Sequence, residues 1–258
     1  MVASTNTTTG SDVDTLMRQR GDGADQVTGL AELVERARAL VVDGQRAVLG
    51  ITGVPGSGKS TLVECLLDEL APTPPAGLPA GDWVAHVPMD GFHLAESELD
   101  RLGRRDRQGA PDTFDSAGYV ALLRRVTADL SEVVYAPTFD RDHGVPVAGS
   151  IPVPPAARLI LTEGNYLLVD QESWLPLRTM LDEVWYCEAD EDRRIEQLIL
   201  RHVVFGKSPA AAEAWALGPD EANAELIRST RDEADLVVPD SVLVALAPAR
   251  TVERRRSA

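Results

Sequence analysis

The sequence predicts an α/β fold, a mostly parallel sheet flanked by helices, and two observations carry that expectation. First, short runs that are apolar throughout, such as 47–52, 83–88 and 158–162, alternate with segments whose apolar residues recur at helical spacing. A strand apolar on both faces belongs in a parallel sheet covered on both sides. Second, a glycine-rich string joins one such run directly to a helix. Gly53-Val54-Pro55-Gly56-Ser57-Gly58-Lys59-Ser60-Thr61 satisfies the pattern G-x-x-x-x-G-K-[ST]. Strand, glycine loop and helix is the order in which backbone N–H groups can turn around a polyphosphate.

Residues 1–24, rich in Ser, Thr, Gly and Asp, predict a disordered tail ahead of a single domain over 25–248. Leu30, Leu33, Val34, Ala37 and Leu40 mark an amphipathic helix that Asp43-Gly44 ends. After the first strand and its loop, Leu62, Val63, Leu66, Leu67 and Leu70 give the second helix. A proline-rich connection, 71–82, leads into the strand at 83–88 and then Met89-Asp90-Gly91-Phe92-His93. A polar, arginine-rich stretch, 94–113, precedes a helix on Tyr119, Leu122, Leu123, Val126 and Leu130. Asp115 serves as its N-cap.

The run 133–137 reads as a strand entering an exposed loop over 138–157. The strand at 158–162 ends in Glu163-Gly164-Asn165, a helix lies around 173–181, and a strand follows at 183–187. Residues 190–231 are helical in pattern with breaks at Gly206 and Gly218-Pro219. Apolar runs at 236–238 and 242–246 finish the domain, and 249–258 is a basic, frayed end.

A net charge of −16, with no cationic block except Arg254-Arg255-Arg256, argues against a nucleic-acid partner. No run approaches 18 apolar residues, so no membrane span is expected. Cys65 and Cys187 read as buried thiols of a reducing compartment, and the expected location is cytoplasmic.

The chain has 25 basic residues, of which only Lys59 and Lys207 are lysines. Lysine at 59 places a compact ammonium where the outer phosphates of a nucleotide would lie. Ser60 offers a hydroxyl to Mg²⁺. In parallel sheets, ligands bind beyond the carboxyl ends of the strands. Three strands here end in polar, glycine-bearing text, at Gly53, Asp90-Gly91 and Glu163-Gly164, and these ends are expected to converge. There Asp90 is the candidate general base and Glu163 the acidic residue at the metal.

Asp112 is a candidate acceptor of hydrogen bonds from a polyol. Arg194, Gln197 and Arg201 share one helix face within 190–216, a candidate lid closing on the transferred phosphate. An Asn-Lys-x-Asp string for guanine is absent, because neither lysine sits in one. The motif by itself leaves two classes open: an ATP-dependent kinase, or a nucleotide-binding regulator without transfer activity. A base at position 90 has no use in the second.

Four ordered strings, Val87-Pro88-Met89-Asp90-Gly91-Phe92-His93, Gly109-Ala110-Pro111-Asp112-Thr113-Phe114-Asp115, Pro137-Thr138-Phe139-Asp140-Arg141 and Leu161-Thr162-Glu163-Gly164-Asn165-Tyr166, resemble one family. It is the superfamily of uridine kinase, phosphoribulokinase and bacterial pantothenate kinase, in particular its nucleoside/nucleotide kinase-like branch. The resemblance spans about residues 46 to 240. It implies a P-loop NTPase fold with a five-stranded parallel core and a small helical lid, and it implies ATP and Mg²⁺.

By matching position, the resemblance gives Asp90 as base, Lys59 and Arg201 as catalytic cations, and Ser60 with Glu163 as metal ligands. Asp90, Phe92, His93, Asp112, Phe139, Asp140 and His143 fall in substrate-contacting segments. Arg194, Arg201 and Lys207 fall in the lid. A nucleoside is the first expected acceptor, and a sugar such as fructose, or pantothenate, the alternative. Homo-oligomers are frequent in that family. The text departs from uridine kinases at Phe139-Asp140-Arg141-Asp142-His143, where those proteins show Tyr-Asp-Phe.

Overall fold

The computed structural model describes residues 27–171 and 173–246, so the expected tail at 1–24 and the basic end at 249–258 lie outside the described residues. Its centre is a five-stranded sheet in the order β2-β5-β1-β6-β7. The strands are β1 (Ala47–Thr52), β2 (Val84–Pro88), β5 (Leu159–Glu163), β6 (Glu183–Cys187) and β7 (Leu236–Val238), and each pairing between them is parallel.

Two core clusters cover the two faces of the sheet, as strands apolar on both sides require. Leu49, Ile51, Leu159, Leu161 and Trp185 face one cluster with Leu33, Leu62 and Trp83. Val48, Ile160 and Tyr186, the intervening strand residues, face the other with Tyr119, Leu123 and Trp174. The first cluster is closed by α1 (Leu30–Ala39) and α2 (Lys59–Leu70), which lie against each other. The second is closed by α4 (Ser116–Ala128), whose N-cap Asp115 accepts from the Gly118 N–H at 2.8 Å as expected. Side chains also tie sheet to loops: the Val48 N–H donates to Asp182 at 2.7 Å and the Val184 N–H to Asp235 at 2.9 Å.

The run at 133–137 does not join the central sheet. Residues Val134–Asp140 form β3, and the expected exposed loop contains β4 (Val145–Val153), which pairs antiparallel with β3 as a separate hairpin. Three prolines within β4 or at its end had argued for loop, yet this two-stranded ribbon has open edges on which proline is tolerated. The arginine-rich stretch likewise holds a short helix, α3 (Glu96–Leu102), and the helix expected around 173–181 is a 3₁₀ turn at Leu175–Thr179. The last apolar run is helical, at 240–246.

Three helices follow β6: α5 (Glu191–Val204), α6 (Pro209–Leu217) and α7 (Pro219–Arg228). They break at Gly206 and Gly218 as the sequence indicates. Among the described residues no helix is long and apolar enough to cross a membrane.

Candidate active site

The carboxyl ends of β1, β5 and β2 lie side by side, because Glu163 pairs in register with Ile51 on one flank and with Pro88 on the other. Residue 53 begins the glycine loop, residue 90 follows β2, and residue 163 stands between them. An open cleft of about 780 Å³ lies above this edge.

The loop after β1 is shaped by backbone that side chains resist. Gly53 has φ +145°, and a Cβ there would stand 2.6 Å from the Cys187 carbonyl oxygen. Gly58 ends the loop in left-handed geometry and starts α2. Pro55, Gly56, Gly58, Lys59, Ser60 and Thr61 line the cleft. The Lys59 ammonium donates to the carbonyls of Gly53 at 2.8 Å and Val54 at 3.0 Å, closing the loop on itself. Burial pushes its pKa down to about 8, while Glu163 and Asp90 pull the other way. An ammonium held so near neutrality is poised to gain from an added anion.

Ser60 Oγ donates to Glu163 Oε2 at 2.9 Å. The other carboxylate oxygen lies 3.4 Å from His86 Nε2 on β2. No cluster of three or more His, Cys, Asp or Glu suited to a metal occurs among the described residues. A hydroxyl and a carboxylate oxygen at hydrogen-bond distance fit a hard cation that takes its remaining ligands from phosphate and water. Ser57 Oγ, buried without a partner inside the loop, also fits a cradle built for an oxygen-rich ligand.

Asp90 follows β2 in a 3₁₀ turn, Met89–Phe92. Its carboxylate accepts from Arg141 Nη2 at 2.9 Å and lies 4.0 Å from His93 Nε2. The His93 ring is clasped by Phe114 at 4.0 Å and Phe139 at 4.6 Å between centroids. Burial lowers its proton affinity, partly opposed by Asp90, so the ring is neutral near pH 7. Next to Asp90, Gly91 carries the hairpin: a Cβ there would meet the Pro137 carbonyl oxygen at 2.3 Å. The hairpin can approach Asp90 this closely only because residue 91 lacks a side chain.

The third wall comes from α5 to α7. Arg201, Phe205, Lys207 and Trp215 line the cleft, with Lys207 Nζ 4.2 Å from the centre of the Trp215 ring. Burial lowers the Arg201 pKa, and the nearby Arg141 charge lowers it further. The start of α5 is fastened. Arg193 pairs with Asp240, and Arg194 pairs with Glu191 and Glu221, which Arg228 also holds.

The structure thus brings Lys59, Ser60, Asp90, His93, Phe139, His143, Glu163, Arg201 and Lys207 to one cleft. Within the loop, Gly53, Val54 and Ser57 do not line the cleft, and of the residues expected at the acceptor and in the lid four lie elsewhere. Asp112 faces Arg104 at 3.2 Å and Arg107 at 2.9 Å and does not line the cleft. Phe92 packs on Tyr119 with centroids 5.1 Å apart. Asp140 accepts from the N–H groups of Asp142 and His143 and from the His143 ring, fixing the hairpin turn. Arg194 has a fully buried side chain in the ion cluster at the root of α5 and is not a lining residue. Helix spacing put Arg194 and Arg201 on one face, but the glutamates that claim Arg194 come from two different helices.

Arg141, which lies in the 137–143 segment expected to contact substrate but was not itself named for a role, lines the cleft, and so do Trp215, Asp220 and Asn223, which were not expected there. Arg141 was legible as the charged residue standing where uridine kinases carry an aromatic one. The other three lie on helices with no local sign of their role.

Fold and cleft define a P-loop phosphotransferase architecture, and comparisons with known proteins narrow the class. A family model described as "Methylmalonyl Co-A mutase-associated GTPase MeaB" matches residues 21–75, the stretch around the phosphate loop. The protein "Putative uridine kinase C227.14" of Schizosaccharomyces pombe is 34% identical over 227 residues, covering 86% of this chain and 93% of that one. The crystal structure of a "putative fructose transport system kinase" from Silicibacter sp. TM1040 superimposes with TM-score 0.73 at 36% identity, covering 82% of this chain and 99% of that one. YFH7 of Saccharomyces cerevisiae, described as "a putative P-loop containing kinase with a circular permutation", shares the fold with TM-score 0.67 at 20% identity over 81% of this chain and 98% of that one. The chain belongs to the P-loop kinase superfamily of uridine kinase, phosphoribulokinase and bacterial pantothenate kinase, within its nucleoside/nucleotide kinase-like branch.

Proposed function

We propose that the protein transfers the γ-phosphate of ATP to a hydroxyl of a small polar metabolite. The observation that carries this reading is the single cleft shared by the phosphate loop, the Ser60–Glu163 pair and the Asp90 carboxylate. Asp90 takes the proton from the acceptor hydroxyl as its oxygen attacks the terminal phosphorus. Loop N–H groups and Lys59 hold the outer phosphates, and Arg201 and Lys207 face the same space from the opposite wall. Ser60 and Glu163 would hold Mg²⁺, which when bound neutralises charge on the phosphate oxygens.

A nucleoside is the first acceptor to test, supported by the name of the fission-yeast relative. Fructose is the second, supported by the name of the Silicibacter structure, with pantothenate beside it. Measuring ADP release over nucleosides, sugars and pantothenate tests the reading. Asp90→Asn is expected to leave ATP binding by calorimetry within about twofold and to lower kcat by about 10²- to 10⁴-fold. Unchanged turnover in that variant would refute the role of Asp90.

A further inference from the structure

Arg141 occupies an unusual position for a surface arginine. It stands at the tip of the β3–β4 hairpin, in a turn that Asp140 fixes with its own carboxylate, so its backbone is built in place. One of its nitrogens, Nη2, reaches Asp90 Oδ2 at 2.9 Å, and this is its one ion pair among the described residues. A guanidinium has five N–H donors in a planar fork, so a single contact leaves most of its binding capacity unused. Arg141 lines the cleft, and Arg201 faces it from α5 closely enough that the two like charges oppose each other. No carboxylate lies within ion-pair distance of Arg201 among the described residues. Of the other cleft carboxylates near the hairpin, Asp142 makes no ion pair with either arginine, and two more are already engaged. Glu96 is paired with Arg105 at 2.7 Å and Asp220 with His202 at 2.7 Å.

The acceptor end of the cleft therefore holds two guanidiniums in mutual repulsion, one of them resting on the proposed base. Both features would be relieved by an anion seated between them. The Asp90 oxygen that accepts from Arg141 shares its electron density with the guanidinium and is less available to a hydroxyl, and a second anion competing for the fork would release it.

Resting on the kinase reading above, we propose that Arg141 recognises a carboxylate or phosphate carried by the acceptor, and that this contact frees Asp90 for the acceptor hydroxyl. The acceptor class is a hydroxy acid or a hydroxyl compound already bearing a phosphate. The transfer itself is balanced: the hydroxyl proton passes to Asp90, an O–P bond forms to the terminal phosphorus, and the bond to ADP breaks with its electron pair leaving on ADP. Arg141 is a specificity and positioning residue in this scheme, since it orients both the acceptor and the base.

The test uses the full chain with ATP and Mg²⁺ and pairs of acceptors that differ in charge. Glycerate against glycerol and pantothenate against panthenol form the carboxylate arm. Fructose 6-phosphate against fructose forms the phosphate arm. In at least one pair the charged member is expected to have a kcat/KM at least tenfold higher, and the arm in which this occurs names the anion. Arg141→Gln should raise KM for that charged acceptor by about ten- to hundred-fold and bring the charged-to-neutral ratio near one. Arg141→Lys, which keeps the charge and loses the fork, should restore only part of it.

Calorimetric titration of the same compounds, with a non-hydrolysable ATP analogue bound, gives a readout that does not need turnover. Anion binding lost in Arg141→Gln supports the inference. Neutral members preferred in every pair, a charge ratio unmoved by Arg141→Gln, or no binding of any charged probe overturns it. Loss of ATP binding, or turnover absent with every acceptor while charged probes still bind through Arg141, would instead count against the kinase reading alone.

Discussion

The two ends of the cleft are built by different means. The proposed phosphate end is a contiguous stretch, residues 53–61, running from the end of β1 into α2, with its lysine buried and satisfied by its own loop. The end where the acceptor is proposed to bind is assembled from a 3₁₀ turn, a hairpin tip and a helix far along the chain, and its charged pair Asp90–Arg141 is 38% and 44% exposed. The first end is preorganised by backbone geometry. The second depends on how separate pieces of chain lean on one another. A rigid cradle with a separately built acceptor wall lets one fold serve many acceptors.

Variants that strike one end alone test that separation. The largest effect after Asp90→Asn is expected from Gly53→Ala. Its methyl group would sit 2.6 Å from the Cys187 carbonyl at a φ of +145°, so strain and clash together should cost about 2–4 kcal/mol. A lower melting temperature and loss of nucleotide binding by calorimetry are the expected results. Normal nucleotide affinity would mean that the cradle tolerates distortion.

Gly91→Ala should do the reverse. Displacing Pro137 from Asp90 is expected to lower acceptor kcat/KM by roughly tenfold or more, with overpacking of about 1–3 kcal/mol and ATP affinity within about twofold. Equal losses for ATP and acceptor would erase the distinction between the ends.

A smaller effect follows from Lys59. Its pKa of about 8 lies below the ordinary lysine value, and a bound phosphate favours the charged form and raises it. ATP binding is then linked to proton uptake, and affinity falls as pH rises through 8. The expected decline between pH 7 and pH 9 is about tenfold. Lys59→Ala should bind weakly with a flat profile over that range, and a slope surviving in the variant would assign the titration to another group.

The smallest effect is expected at Asp112, held by Arg104 and Arg107 outside the cleft. Asp112→Ala should change acceptor KM by less than about twofold and stability by less than about 1 kcal/mol. A tenfold rise in KM would return Asp112 to the acceptor site.

The difference between the two ends also explains what the sequence could reveal. The cradle was readable because all its parts are adjacent and their spacing is imposed by phosphate geometry. Asp90 and Glu163 were readable because each closes an apolar run, and parallel strands bring such ends together. The hairpin was hidden because proline and glycine in 145–153 carry the signature of loop, which an isolated ribbon accepts. Asp112 and Arg194 were misplaced for a shared reason. Each is claimed by ionic partners: Asp112 by Arg104 and Arg107 of its own irregular stretch, where no periodicity reports which side chains meet, and Arg194 by Glu221 of a different helix, which spacing along α5 cannot report. Trp215 and Asn223 left no trace because the breaks at Gly206 and Gly218, though legible, do not say in which direction the three helices fold, and that direction is what makes these two cleft residues.

The fastening of α5 sets how its cations can travel. Its first turn is pinned to Asp240 and to α7, whereas Arg201 sits about two turns farther on, on the order of 10 Å away. The far end is tied as well, because His202, next to Arg201, meets Asp220 of α7 at 2.7 Å. Any displacement that carries Arg201 would therefore have to carry α7 with it, and the phosphate loop, packed on Leu198 and Arg194 at Gly56, would feel the same shift.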